Sequence, residues 1–142
     1  MPDYQHIILE KDPAEHIARI TINRPDRRNA LHDDATHEMG TAIDDVAADD
    51  DIRVLIITGS GQAFCAGGDL NALKGGSDPG MWVSENTDDI RRSFRLAQRM
   101  ILGIQRMEKP VIAMINGVAV GAGFDLACAC DIRIASPKAR FM

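Results

Sequence analysis

The stretch from Ile115 to Asp131, INGVAVGAGFDLACACD, constrains this chain more than any other. It opens at the end of an apolar run, Val111 to Ile115, passes Gly117, Gly121 and Gly123, and turns helical in character from Ala122. Glycines so closely spaced let the backbone turn tightly and let another group come near. A helix that starts just after them presents unpaired N–H groups to whatever lies in front of it. Asp125 falls in the first turn of that helix. One short segment can therefore offer donors to an oxyanion and a carboxylate to move a proton. The alternative is structural: a tight strand-to-helix turn whose acid complements the helix dipole.

The rest of the chain supplies partners for this segment. Tyr4 to Leu9 and His16 to Ile22 read as two strands of a hairpin, turned at Lys11-Asp-Pro13. Asn23 to Asn29 is a polar loop with a proline and three arginines, Arg24, Arg27 and Arg28. It is either a solvated loop or a phosphate contact. Asp33 to Ala48 has helical spacing, with Ala35, Met39, Ala42, Ile43 and Val46 on one stripe. Arg53 to Thr58 is an apolar run of the kind found in parallel strands buried on both faces. Phe64-Cys-Ala-Gly-Gly-Asp-Leu70 follows, and Asp69 there is a candidate N-cap for a short helix through Leu73. Lys74 to Glu85 reads as loop and carries the only tryptophan, Trp82. Asp88 to Met107 is the longest helical pattern, with Ile90, Phe94, Ala97, Ile101 and Ile104 as its apolar line and Arg91, Arg92, Arg95 and Arg99 as a solvated face. Lys109-Pro110 closes it, Val111 to Ile115 is another buried strand, and Asp131 to Ala135 is a last short one.

Composition excludes several classes. The chain has 142 residues, 45% of them hydrophobic and only 4% aromatic, so a single core would be aliphatic. A net charge of −5 argues against nucleic acid as a partner, though not against a small anion. Cys65, Cys128 and Cys130 are odd in number and form no disulfide framework. They suit a reducing compartment, and Cys128 and Cys130 read as small buried hydrophobes rather than metal ligands. Asp3 to Asp12 is too charged for a signal peptide, and no apolar run is long enough to span a membrane. A soluble cytoplasmic protein without a metal is the expectation.

Two glycine turns now stand out, Ala66 to Asp69 and Gly121 to Asp125. Each follows a predicted buried strand and leads into a helix start. Adjacent parallel strands would bring both to one sheet edge, where ligands tend to bind. Two N–H groups converging from different loops make an oxyanion hole. Such a hole suits a thioester carbonyl that becomes an enolate as a proton is gained or lost beside it. Neither turn has the spacing of a phosphate loop or a dinucleotide fingerprint.

The chain resembles the enoyl-CoA hydratase/isomerase (crotonase) family from end to end. The residues that carry the resemblance are Asn23-Arg-Pro25 with Arg28-Asn-Ala-Leu31, Phe64 to Leu70, Lys109-Pro110, and Asn116-Gly117 through Asp131-Ile132. The resemblance implies an α/β crotonase-like spiral of ββα repeats, and an acyl-CoA thioester as substrate. Coenzyme A is then part of the substrate, and no separate cofactor is needed. Ala66 matches the first oxyanion N–H and Ala122 the second. Ala66, Gly67, Gly68 and Asp69 match the segment along the thioester, with Leu70 and Gly121 completing the substrate-binding set. Arg28 matches a contact to the CoA phosphates.

Asp125 matches the first catalytic glutamate of the hydratases and is one methylene shorter. Members that isomerise dienoyl-CoA resemble this sequence in having aspartate there. Reach decides acid–base roles before pKa does, so isomerisation stands beside hydration. A non-catalytic acyl-CoA binding protein is a further alternative. In the family a second catalytic carboxylate comes a few residues after Phe141, and a C-terminal helical region covers the site and builds trimer contacts. The resemblance thus makes residues 1–142 an incomplete N-terminal core domain, with a homotrimer or dimer of trimers as the expected assembly.

Overall fold

The unbroken apolar runs become central parallel strands. The computed structural model describes residues 3–69 and 86–142. Strand β1 (Ile7–Asp12) pairs antiparallel with β2 (Ile17–Ile22) as the alternation predicts, with Ile7 opposite Ile22. The hairpin turns later than Lys11-Asp-Pro13. Lys11 is drawn into β1 by Asp49 and Asp45, at 2.7 and 2.9 Å, and Asp12 Oδ1 accepts the N–H groups of Ala14 and Glu15 to make the turn. Helix α1 (Asp33–Ala48) buries the predicted stripe of Ala35, Met39, Ala42, Ile43 and Val46. It leads to β3 (Val54–Gly59), which runs parallel to β2. Strands β5 (Val111–Ile115) and β7 (Ile132–Ala135) extend the sheet in parallel, giving the order β1-β2-β3-β5-β7.

A second, smaller sheet is built from three very short parallel strands in the order β4-β6-β8. These are β4 (Ala63–Cys65), β6 (Val118–Ala119) and β8 (Arg140–Phe141). Each follows one strand of the larger sheet after a tight turn. Helices α2 (Thr87–Arg106) and α3 (Ala122–Ala129) follow β4 and β6. From β3 onward the chain therefore repeats strand, turn, short strand, helix. Leu70, the predicted helical continuation to Leu73, and the Lys74–Glu85 loop with Trp82 lie outside the described residues.

Side chains tie the successive turns together. Asn29 Nδ2 donates to Ser60 O and Ala63 O, both at 2.8 Å. Asn116 Nδ2 donates to Gly61 O and Ala63 O, both at 3.1 Å, while its Oδ1 accepts from Gly59 N at 3.3 Å. Ser136 Oγ then donates to Asn116 O at 3.2 Å. Asn29 thus reaches forward to the turn after β3, Asn116 and Ser136 each reach back to the turn before their own, and buried backbone groups that the short strands cannot pair are satisfied this way.

Helix α2 corrects one expectation. Its inward line is Ser93, Met100 and Ile104, and Phe94 is 44% exposed. Ser93 Oγ donates to the buried Asp33 Oδ2 at 2.9 Å, and Arg99 pairs with Asp44 at 2.6 Å. These contacts seat α2 on α1 one residue round from the purely apolar line.

Candidate active site

The pairing of β4 with β6 brings the two glycine turns together. Ala63 lies opposite Val118 and Cys65 opposite Ala119, and Val120 N donates to Cys65 O at 3.0 Å. Both strands run the same way, so both turns emerge at the same end. Gly67 then packs directly on the second turn. A Cβ placed there would lie 2.7 Å from Val120 O and 3.7 Å from Ala122 N, and its φ of +90° is one that side-chain-bearing residues rarely adopt. This close approach requires glycine.

The first turn is stitched to the loop after β2. Ala66 N donates to Arg28 O at 3.0 Å, Leu31 N to Gly67 O at 2.7 Å, and Asp69 N to Leu31 O at 2.9 Å. The Ala66 N–H is therefore consumed by Arg28, and the donor role expected of Ala66 does not fit. Leu31 and Gly68 form an isolated parallel bridge. In such a bridge the flanking residues on the second strand make the bonds, and the bridged residue's own N–H points the opposite way. Gly68 N–H is thus turned away from Leu31. The N–H that points away from this stitch belongs to Gly68, two residues further on.

The second turn works differently. Gly121 is the N-cap of α3 with φ +52°, and it is exposed. Ala122 is the first residue of the helix, so its N–H is one of those with no intrahelical acceptor. Asp125 lies one turn further along the same face. Its backbone N–H is spent on Gly121 O at 2.9 Å, and its carboxylate is exposed. The neighbouring edge is held by β8, where Gly121 N donates to Met142 O at 2.9 Å and Phe141 packs its ring 5.9 Å from that of Phe124.

The three arginines of the first loop separate in role. Arg24 turns inward and pairs with Asp69 at 3.0 Å, so Asp69 supports the turn rather than facing a ligand. Arg28 is exposed and lines two clefts. One, of about 310 Å³, is bounded by Asp26, Arg27, Arg28, Ala30, Ala66, Gly68 and Asp69. The other, of about 400 Å³, is bounded by Pro25, Arg28, Gly61, Gln62, Ala63 and Val118. Cys65 sits beneath the first turn, where burial pushes its thiol up to about 11 against the opposing pull of the Gly67 N–H and Arg24. It is a neutral packing group there. The sequence reading assigns no metal. Among the described residues one trio of ligating types, His6, His32 and Asp34, brings its ligand atoms within 4.8 Å of one another, and none belongs to either glycine turn.

These features meet in the comparison with known proteins. The enoyl-CoA hydratase/isomerase family model matches residues 12–142. The chain belongs to that family. It is 41% identical over 141 residues to a probable enoyl-CoA hydratase of Mycobacterium tuberculosis, covering 99% of this chain and 51% of that protein. It is 36% identical over 137 residues to the peroxisomal Delta(3,5)-Delta(2,4)-dienoyl-CoA isomerase of Arabidopsis thaliana, covering 94% of this chain and 49% of that protein. The solved structure of an enoyl-CoA hydratase/isomerase from Xanthobacter autotrophicus superposes with a TM-score of 0.84 at 33% identity, covering 98% of this chain and 49% of that one. The fold is crotonase-like, as the resemblance implies, and the chain spans about half the length of the curated relatives it matches. Among the described residues no helix is long and apolar enough to cross a membrane.

Proposed function

We propose that the protein acts on acyl-CoA thioesters, most directly in the hydration of a 2-enoyl-CoA. The observation that carries this reading is the meeting of two backbone donors from different elements, Gly68 N–H from an extended segment and Ala122 N–H from a helix start, across the contact of Gly67 with Val120. Donors held in place before reaction stabilise charge as it develops on the carbonyl oxygen, at no cost in reorganisation. As water adds to the carbon β to the carbonyl, the thioester becomes an enolate held by these two groups. Asp125 serves as general acid/base, together with the second carboxylate that the family resemblance places beyond Phe141. Arg28, exposed on the wall of both clefts, is the residue we assign to the CoA phosphates. No cofactor enters this scheme. A homotrimer or dimer of trimers in the cytoplasm is the assembly we assign on resemblance, and sedimentation would test it.

A second reading, isomerisation of dienoyl-CoA, is favoured by Asp125 itself. The same hole would hold a different enolate, the conjugated one formed when C2 of a 3,5-dienoyl-CoA loses a proton, and return of a proton at C6 would give the 2,4-dienoyl-CoA with no water added. Assays with a 2-enoyl-CoA and a 3,5-dienoyl-CoA separate the two. In either case Asp125→Asn is expected to abolish turnover with acyl-CoA affinity retained. Affinity lost with turnover intact would make Asp125 a structural residue.

A further inference from the structure

We infer that the buried Arg24–Asp69 ion pair is a positioning device that aims the Gly68 N–H. This deepens the acyl-CoA reading and rests on it. Arg24 and Asp69 side chains are only 11% and 9% exposed, and Nη2 meets Oδ2 at 3.0 Å. A second guanidinium nitrogen donates to Ala30 O. One side chain therefore grips both edges of the stitch, the Arg28–Leu31 segment through Ala30 and the Ala66–Asp69 segment through Asp69. The grip is itself anchored. Arg24 N donates to Asn29 Oδ1 and Asn29 N to Arg24 O, each at 2.9 Å. Asn29 in turn holds the first turn of the spiral.

The energetics of such a pair point to geometry rather than stability. Withdrawing two charges from water is costly, and replacing a buried pair by apolar side chains of like volume is often neutral or stabilising. The backbone bonds of the stitch already hold the two segments together. Leu31 N donating to Gly67 O and Asp69 N donating to Leu31 O set the peptides on either side of Gly68, and those bonds are only as well placed as the two segments that carry them, one of which has two consecutive glycines. The ion pair acts at Asp69, one residue after Gly68, and with the bond to Ala30 O it sets how the two segments lie against each other. A misplacement of about 1 Å at a reacting group can cost a hundredfold in rate, so a device that sets how these segments lie has a large effect on chemistry and a small one on folding.

The test uses a probe whose spectrum reports the donors directly. A conjugated 2,4-dienoyl-CoA shifts its absorption to the red when its carbonyl is polarised by hydrogen bonds. The protein and two variants, Asp69→Asn and the apolar pair Arg24→Met/Asp69→Leu, are titrated with it and melted in parallel. We expect the unaltered protein to bind with a red shift. Both variants should melt within a few degrees of it and bind within about threefold of its affinity, yet lose most of the shift. A full shift in either folded variant overturns the positioning role and leaves the acyl-CoA reading standing. If the apolar pair does not fold, the pair is needed for stability in that background and Asp69→Asn decides by the same criterion. Absence of binding or shift in the unaltered protein overturns the acyl-CoA reading and this inference with it.

Discussion

At the Ala66–Asp69 turn the backbone is aimed from outside, by three hydrogen bonds to Arg28–Leu31 and by a buried ion pair. At the Gly121–Asp125 turn the following helix does the aiming, and the turn itself is exposed. The same chemical group, a backbone N–H, is thus delivered by an extended segment on one side and by a helix start on the other. The difference teaches where each donor is vulnerable. The first depends on distant residues, the second on its own helix.

Four measurements press on that contrast. The largest effect is expected at Ala122. Proline is compatible with the first position of a helix, so Ala122→Pro should keep the fold, shown by circular dichroism, while removing the donor. Turnover is expected to fall by about 3–4 kcal/mol in transition-state stabilisation. Unchanged turnover would remove Ala122 from the hole. Next is Gly67→Ala, which forces a left-handed φ on alanine and drives a methyl against Val120 O. Urea unfolding should register a loss of about 3 kcal/mol. Gly121→Ala shares the positive φ but has nothing within 4 Å of its added methyl. Strain alone acts there, at φ +52° and ψ −121°, and the loss should be smaller, about 1–2 kcal/mol. Equal losses at the two glycines would erase the distinction between a packed turn and an open one.

The smallest effect concerns the thiols, one beneath the first turn and two at the far end of α3. Cys65 and Cys130 are buried, and desolvation raises them to about 11 and about 12. Cys128 is exposed. Alkylation of the folded protein at mildly alkaline pH, read by peptide mass, should mark Cys128 and spare the other two. The sign for stability follows from the same shifts. A raised folded pKa means the stabilisation is whole below the unfolded value and is lost as pH rises through the folded one. Stability should therefore decline above about pH 9, where thiols in the unfolded chain ionise. A flat profile there would show that the two thiols are not closed off from water.

What the sequence discloses here is what repeats over many residues. The stripe of α1 and the runs that become β3 and β5 fill their elements from end to end, so periodicity finds them. The second sheet is invisible to the same reading, because strands of two or three residues such as Val118–Ala119 carry no period at all. Helix α2 is found but turned slightly wrong. The polar Ser93 faces inward because Asp33, sixty residues earlier in the chain, is there to receive it. The site shows the same limit. The motif places the first donor within Ala66–Asp69, but which N–H faces away from the stitch depends on pairing with Arg28 and Leu31, which no local pattern discloses. The partnership of Arg24 with Asp69 is hidden for the same reason, since the arginine reads equally well as a surface charge.

The ladder of Asn29, Asn116 and Ser136 has a bearing on how much error the site can absorb. Each turn is tied to its neighbour, as the courses of a brick arch bear on one another. The strands that lead from this ladder to the two donors are only three and two residues long. A rise of about 3.3 Å per residue makes that span roughly 10 Å or less. Over so short a lever little play can accumulate, and any play that exists in the ladder arrives at the two N–H groups almost undiminished. Asn116, six residues before Ala122 and with no acid or base to offer, is for that reason a residue at which the tolerance of the site is set.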